Sequence, residues 1–340
     1  MSKQRPILLA GIPRSGSTWA VKVLAQSPGS SFYHEPDNEK TKFLAYALKN
    51  DLHRFPYLRA DFQQSDYRKL WTTVFFERRM FLLLQKALNN YLLPSQQLLE
   101  YGIGKKCGLM HEPGFFRHVV SPTNLKTHPS TLLFDKLGIY ITRFATSFPL
   151  GNSTNRVIVK SVHAILSLPW IEKHFNPQII VIFRNPLNVI SSYLTLKIPD
   201  SIRNIFAQSE LVHDHLAPFP KKWLLARTNV QKMAAQIGAI YKVLENQISD
   251  HPQWIIIKHE ELCQDPEREY KKLYKQLDLY WNKNAQDFVK ASNKKAEGFV
   301  TSRIARDEIN KWKDKLTSDQ VTEINRIIEG FNLKTYSHVR

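Results

Sequence analysis

Cysteine is nearly absent: 340 residues hold two, Cys107 and Cys263, far apart in the chain. A disulfide scaffold is thereby excluded, and a reducing compartment such as the cytoplasm is the expected setting. Long apolar runs are missing as well. No stretch approaches the roughly 18 apolar residues of a membrane helix. The run behind the basic N-terminus, Ile7 to Ala10, stops at Gly11, short of the roughly 7–15 residues of a secretory core. The chain therefore reads as soluble, with no transmembrane segment. Acidic residues are in deficit, 30 against 48 Lys and Arg, for a formal charge of +18. That surplus favours an anionic partner without naming it. No His, Cys and Asp stand together at zinc-ligand spacing, so no metal is expected. The basic residues are scattered rather than gathered in one run, and no nucleic-acid recognition motif is present, so no nucleic acid is expected either.

Four short apolar runs are present: Pro6–Ile12, Arg156–Val159, Gln178–Phe183 and Trp254–Ile257. They are rich in β-branched residues and do not alternate, as strands buried on both faces of a parallel sheet do not. Helical patterns follow them. Trp19, Val23 and Leu24 recur at helical spacing after a Ser/Gly loop, Ile165, Leu168 and Ile171 after Ser161, and Val189, Ile190 and Tyr193 after Pro186. Further helices are expected over Asn229–Gln247 and Ser318–Glu329. Strand, loop and helix in repetition predict an α/β fold with right-handed crossovers. The segment 40–155 is different, with a long helical pattern over Leu70–Leu92 and then Gly/Pro punctuation. It reads as a mainly helical insertion in a single domain, 1–340. Such an insertion either shapes an acceptor site or adds to the core.

The segment Gly11-Ile12-Pro13-Arg14-Ser15-Gly16-Ser17-Thr18-Trp19 follows a predicted strand and opens a predicted helix. Its G-x-x-x-x-G-x-T spacing is that of a P-loop, except that Ser17 stands where an NTPase has lysine. Gly16 lets backbone N–H groups approach an anion. The hydroxyls of Ser15, Ser17 and Thr18 add donors, and the helix N-terminus adds positive potential. Arg14 supplies a cation. The apolar runs end in Lys160, Arg184 and Lys258 rather than in a Walker-B aspartate. The loop thus suits a phosphate-like group but poorly suits a triphosphate. Arg184 closes a predicted strand, where open α/β sheets bind ligands. Ser192 lies about two helical turns further on, within reach of the same anion if the loop folds back.

With these residues in view, the chain resembles the sulfotransferase superfamily that uses 3′-phosphoadenosine 5′-phosphosulfate (PAPS). Pro13 to Trp19 is similar to that family's 5′-phosphosulfate loop, in the Pro-Arg-Ser-Gly form of bacterial, carbohydrate and tyrosyl-protein members. Arg184 to Tyr193 is similar to the 3′-phosphate motif, with Arg184 and Ser192 in the matching positions. Lys160-Ser161-Val162-His163 resembles the family's Lys-Thr-His or Lys-Thr-Pro segment, and Ile257 to Leu262, followed by Asp265-Pro266, a largely architectural stretch. The C-terminal match is thinner: Trp312-Lys313 is present, the Arg-Lys-Gly triplet is not, and Arg303 and Arg306 stand upstream as its nearest equivalents. The resemblance implies a P-loop-like parallel sheet flanked by helices, PAPS as sulfuryl donor, and no metal. It implies cofactor contacts from Arg14, Ser15, Gly16, Ser17, Thr18, Trp19, Arg184, Ser192, Arg303 and Arg306, with Lys160 stabilising the transferring group.

Sulfuryl transfer requires a base for the acceptor proton. Glu35, in His34-Glu35-Pro36, resembles the glutamate of carbohydrate and tyrosyl-protein members and is the first contender. His163 is the second, one residue beyond the position of the cytosolic enzymes' histidine; His34 and Asp37 also stand close. The aromatic and basic content of the insertion suits a small-molecule, lipid or glycan acceptor. Two other functions fit parts of the pattern: a nucleotide or small-molecule kinase with a degenerate P-loop, and a non-enzymatic polyanion binder.

Overall fold

The structure is a computed structural model that describes residues 4–49, 52–76, 155–217, 219, 226, 228–293 and 305–336. Its strands are β1 (Ile7–Gly11), β2 (Ser30–His34), β3 (Arg156–Ser161), β4 (Gln178–Phe183) and β5 (Ile255–Lys258). They form one sheet in the order β2-β3-β1-β4-β5, and each neighbouring pair is parallel. The helices used below are α1 (Ser17–Leu24), α2 (Phe43–Leu48), α3 (Ser65–Phe75), α4 (Leu168–Phe175) and α5 (Pro186–Leu196). After them come α6 (Asn229–Asp250), α7 (His259–Gln264), α8 (Pro266–Gln276), α9 (Lys283–Ser292) and α10 (Ser318–Glu329). The fold is thus the expected α/β one, a parallel sheet flanked by helices.

The non-alternating apolar runs have a simple origin. Leu8, Ala10, Val157, Val159 and Val181 face one core, which α3 to α6 and α10 cover. Ile7, Leu9, Ile158, Ile180 and Ile182 face the other, under α1, α8 and α9. Successive strand residues point to opposite faces, so a sheet covered on both sides needs apolar residues at every position. Each methylene so buried contributes roughly 0.8 kcal/mol.

The run Pro6–Ile12 yields β1, Gln178–Phe183 yields β4 without change of bounds, and the other two runs yield β3 and β5 within one or two residues. The edge strand β2, of sequence Ser-Ser-Phe-Tyr-His, belongs to no apolar run, because its residues are only partly buried. The helix expected from Leu70 begins earlier, at Ser65, where the Gln64 side chain accepts a hydrogen bond from the Asp66 N–H at 3.3 Å. It ends at Phe75, with Phe76 as its C-cap, rather than running on unbroken towards Leu92; residues 77–92 lie outside the described residues, as does most of 40–155, with Cys107. Among the described residues no helix is long and apolar enough to cross a membrane.

Strand register sets up the site. His34 and Leu9 both pair with Lys160, Gly11 pairs with Ile182, and Phe183 pairs with Lys258. The carboxyl ends of all five strands therefore finish along one edge. The residues just beyond them, Ile12 to Gly16, Glu35, Val162, His163, Arg184 and His259, are brought together by the sheet alone. In an open parallel sheet this edge is where ligands bind.

Candidate functional site

At that edge lies a cavity of about 420 Å³. Arg14, Gly16, Ser17, Thr18, Trp19, Glu35, Lys160, His163 and Arg184 all line it. Residues separated by 170 positions in sequence thus share one wall.

The loop after β1 turns back on itself, with the Ser15 N–H donating to the Ile12 carbonyl at 3.1 Å. Gly16 takes φ 86° and precedes the first residue of α1. A side chain there would be strained by the left-handed backbone. Its Cβ would also lie 2.0 Å from Cδ2 of His259. No side chain caps α1, so its N–H groups face outward at the positive end of the helix, a ready anion cradle. Ser15 is fully buried, and its Oγ has no hydrogen-bond partner among the described residues. Trp19 closes the cradle from the side. Its Nε1–H donates to Ser292 Oγ at 2.8 Å, and its ring meets Tyr270 edge-on at 5.2 Å.

The second motif folds against the first. Arg14 Nε donates to Ser192 Oγ at 3.0 Å, and Arg184 Nη1 donates to the Arg14 carbonyl at 2.9 Å. The backbone at Arg184 is pinned twice by Tyr241: its hydroxyl accepts from the Arg184 N–H at 3.1 Å and donates to the Arg184 carbonyl at 2.6 Å. Arg184 is 6% exposed, and its Nε is buried with no partner among the described residues. A buried, unmet guanidinium donor beside a helix N-terminus fits an anionic ligand.

The third group surrounds Glu35. The Lys160 ammonium donates to Glu35 Oε1, and Asn38 Nδ2 donates to Oε2 at 3.0 Å. His163 Nε2 stands 3.9 Å from Oε2. Burial pushes the Glu35 carboxyl up, but the charge and hydrogen bond of Lys160 outweigh it and hold the group below its ordinary value. Glu35 is therefore a carboxylate at neutral pH. His163 is buried, stacked on Phe55 at 5.5 Å, and burial together with Lys49, Arg54 and Lys160 drives its pKa well down, so its imidazole is neutral. Behind them Asp37 is fully buried and accepts from Ser161 Oγ at 2.7 Å and from the Tyr67 hydroxyl at 3.3 Å. Burial raises its carboxyl to about 6. Arg14 and Glu35 both have positive φ, 69° and 45°. That conformation costs a non-glycine residue roughly 1–2 kcal/mol, and such strain collects at working sites.

Some expected residues lie apart. Ser15 and Ser192 support the cavity from outside its lining, and Arg306 is exposed at the start of a 3₁₀ turn, Arg306–Glu308. Arg303 falls outside the described residues. Other lining residues carry no motif signal: Asn38, Phe55, His259 and Glu308. His259 belongs to a stretch that reads as architectural, and only the packing of α7 beneath the loop brings it to Gly16. Among the described residues no group of three or more His, Cys, Asp or Glu could hold a metal.

A family model described as the sulfotransferase family matches residues 6–283. Among curated proteins no sequence matches the chain. Several solved structures are similar to it, among them the following three. A sulfotransferase domain from the curacin biosynthetic pathway shares 13% identity over 97% of this chain and 98% of its own, with a TM-score of 0.46. A sulfotransferase from Mycobacterium avium shares 14% over 98% and 77%, TM-score 0.44. A mouse sulfotransferase in complex with PAP shares 13% over 99% and 89%, TM-score 0.42.

Proposed function

The chain belongs to the sulfotransferase family, and on that premise we propose that it moves a sulfuryl group from PAPS to a hydroxyl or amine of an acceptor. The observation that carries this reading is the meeting of Arg14, Lys160 and Arg184 with the Gly16 cradle on one cavity wall. The buried Nε of Arg184, without a partner among the described residues, fits an anion-rich donor. When bound, PAPS supplies an activated sulfuryl group whose departure leaves a bisphosphorylated nucleotide.

The chain's own residues then divide the task. The loop N–H groups of Gly16 to Thr18 and the Arg14 guanidinium hold the 5′-phosphosulfate. Arg184 and Ser192 hold the 3′-phosphate, and Trp19 flanks the cradle. Lys160 stabilises charge on the sulfuryl and leaving oxygens; preorganised cations at such positions carry most of this kind of catalysis. Glu35 takes the acceptor proton. Its ionised state suits the role, and its pairing with Lys160 ties acid–base chemistry to charge stabilisation. A partner's claim on Lys160 raises the basicity of Glu35, because the same cation holds its pKa down. His163, neutral and 3.9 Å away, orients the carboxylate or serves as the alternative base. The C-terminal Arg303 and Arg306 are assigned to the nucleotide by the resemblance alone.

We further read the chain as one domain, with the insertion over 40–155 shaping the acceptor site. The acceptor is a small molecule, lipid or glycan hydroxyl. Scarce cysteine supports a reducing, cytoplasmic setting.

The direct test is incubation with sulfur-labelled PAPS and a panel of hydroxylated acceptors without added metal. Label transfer with release of 3′-phosphoadenosine 5′-phosphate is expected for at least one class. Failure across a broad panel, with intact donor recovered, contradicts the proposal.

A further inference from the structure

Glu308 stands in the place where the proposed donor should find only cations. Its Oε2 accepts from Arg184 Nη2 at 3.0 Å, and its Oε1 accepts from Lys311 Nζ at 2.6 Å. The Glu308 carbonyl adds a long contact to Arg184 Nη2 at 3.4 Å. The carboxylate lines the cavity and is 12% exposed; Lys311, at 38%, reaches it from the rim. Burial raises Glu308, but the Lys311 hydrogen bond and the Arg184 charge outweigh that and hold it ionised.

The backbone bearing these two residues is fastened to α5 on both sides of Lys311. Asn188 Nδ2 donates to the Ile309 carbonyl at 2.7 Å, and the Trp312 N–H donates to Asn188 Oδ1 at 3.2 Å. Asn188 lies in the same segment as Arg184 and Ser192, so this strap keeps its register with the second motif. The Glu308 side chain, with three rotatable bonds, can swing while the strap stays.

A carboxylate and a phosphate present the same face to a guanidinium, and both accept from its paired N–H groups. They cannot both crowd one arginine without like-charge repulsion. Either the phosphate of the nucleotide goes elsewhere or the carboxylate yields. We infer that Glu308 competes with the nucleotide's 3′-phosphate for Arg184 and Lys311, and that Lys311 becomes a 3′-phosphate ligand beside Arg184 when the two anions exchange. This inference rests on the proposed function. Lys311 then completes a two-cation clamp of which the motif reveals only one half, and Glu308 makes the clamp selective. An anion with two negative charges displaces it, whereas a nucleotide lacking the 3′-phosphate leaves it in place.

The test is calorimetric titration of 3′-phosphoadenosine 5′-phosphate and of adenosine 5′-phosphate into wild type, Glu308→Gln and Lys311→Gln. Unfolding midpoints confirm that each variant is folded. Glu308→Gln should tighten binding of the 3′-phosphorylated nucleotide at least about fivefold, and Lys311→Gln should weaken it about tenfold. Both should leave adenosine 5′-phosphate within twofold. A folded Glu308→Gln that binds the 3′-phosphorylated nucleotide no better, or worse, overturns the competition; Glu308 is then a fixed positioning residue for Arg184. A Lys311→Gln that changes neither ligand overturns the clamp. A wild type that does not distinguish the two nucleotides defeats the sulfotransferase reading itself, and that failure is visible before any variant is measured.

Discussion

Glu35 is held by three hydrogen bonds with two residues, and each bears on what it can do. Lys160 keeps it ionised, Asn38 fixes its second oxygen, and the backbone N–H of Glu35 itself donates to the Lys160 carbonyl at 2.7 Å. The residue is thus locked to the end of β3 by main chain and side chain together. Glu35→Gln should reduce sulfuryl transfer by about 10²–10⁴-fold, the usual worth of a positioned base, with nucleotide affinity within a few-fold of wild type. Turnover near wild type in Glu35→Gln, with a large loss in His163→Gln, would move the base to His163. The buried Asp37 behaves in the opposite electrostatic sense. Its carboxyl keeps its proton to about pH 6 in the folded chain, against about 3.9 when unfolded. Between those values the folded state binds more protons, so this group makes stability fall as pH rises through that window. Relative to Asp37→Asn, wild type should lose about 3 kcal/mol between pH 3.5 and pH 7, read from denaturant unfolding at each pH. A pH-independent difference would mean that Asp37 titrates alike in the folded and unfolded states, and a stability that rises with pH would mean that it stays ionised in the fold.

At the scale of the element, caps and strand ends decide what is in place. Helix α6 packs across one face of the sheet and carries Tyr241, whose hydroxyl pins the backbone at Arg184. Its N-terminus is a reciprocal capping box, Thr228 with Gln231. Thr228→Ala should cost about 1 kcal/mol of global stability and lower the unfolding midpoint by about 2 °C, without changing nucleotide affinity. A drop in affinity larger than the drop in stability would mean that the start of α6 communicates with Arg184. The elements most legible in the sequence were those under the strongest constraint. The strands β1, β3 and β4 advertise themselves because both faces are covered, whereas the edge strand β5, with Ile256 39% exposed, shows only as a run of isoleucines; α5 announces itself through Asn185 and Pro186, with the Asn185 side chain accepting from the Leu187 N–H at 2.9 Å. Strand β2 was silent because an edge strand of half-buried Ser, Phe and Tyr that ends in an exposed His has no obligatory pattern. Arg14, Gly16 and Arg184 were legible because a cradle next to a strand end leaves a local spacing. Glu308, His259 and Tyr241 were not, since each reaches the site by long-range packing that no local spacing encodes.

For the whole molecule, the charge of +18 resolves into a distribution. The cavity wall gathers Arg14, Lys40, Arg54, Lys160, Arg184 and Lys197, and the carboxylates that line it among the described residues, Glu35 and Glu308, are each paired to one of these cations. A concave, cationic site at the carboxyl edge of a parallel sheet attracts a compact polyanion and holds it where the loop and the strand ends converge. The three readings differ in what they require of that site: a sulfotransferase recognises the 3′-phosphate without metal, a kinase needs a metal-bound triphosphate, and a polyanion binder needs no particular phosphate. Titrating 3′-phosphoadenosine 5′-phosphate and adenosine 5′-phosphate calorimetrically into the wild-type chain, with chelator present, distinguishes all three. The expected result is one site per chain that binds the first at least tenfold more tightly than the second without any metal. Equal affinity for the two nucleotides, or binding that appears only with magnesium, would contradict the account.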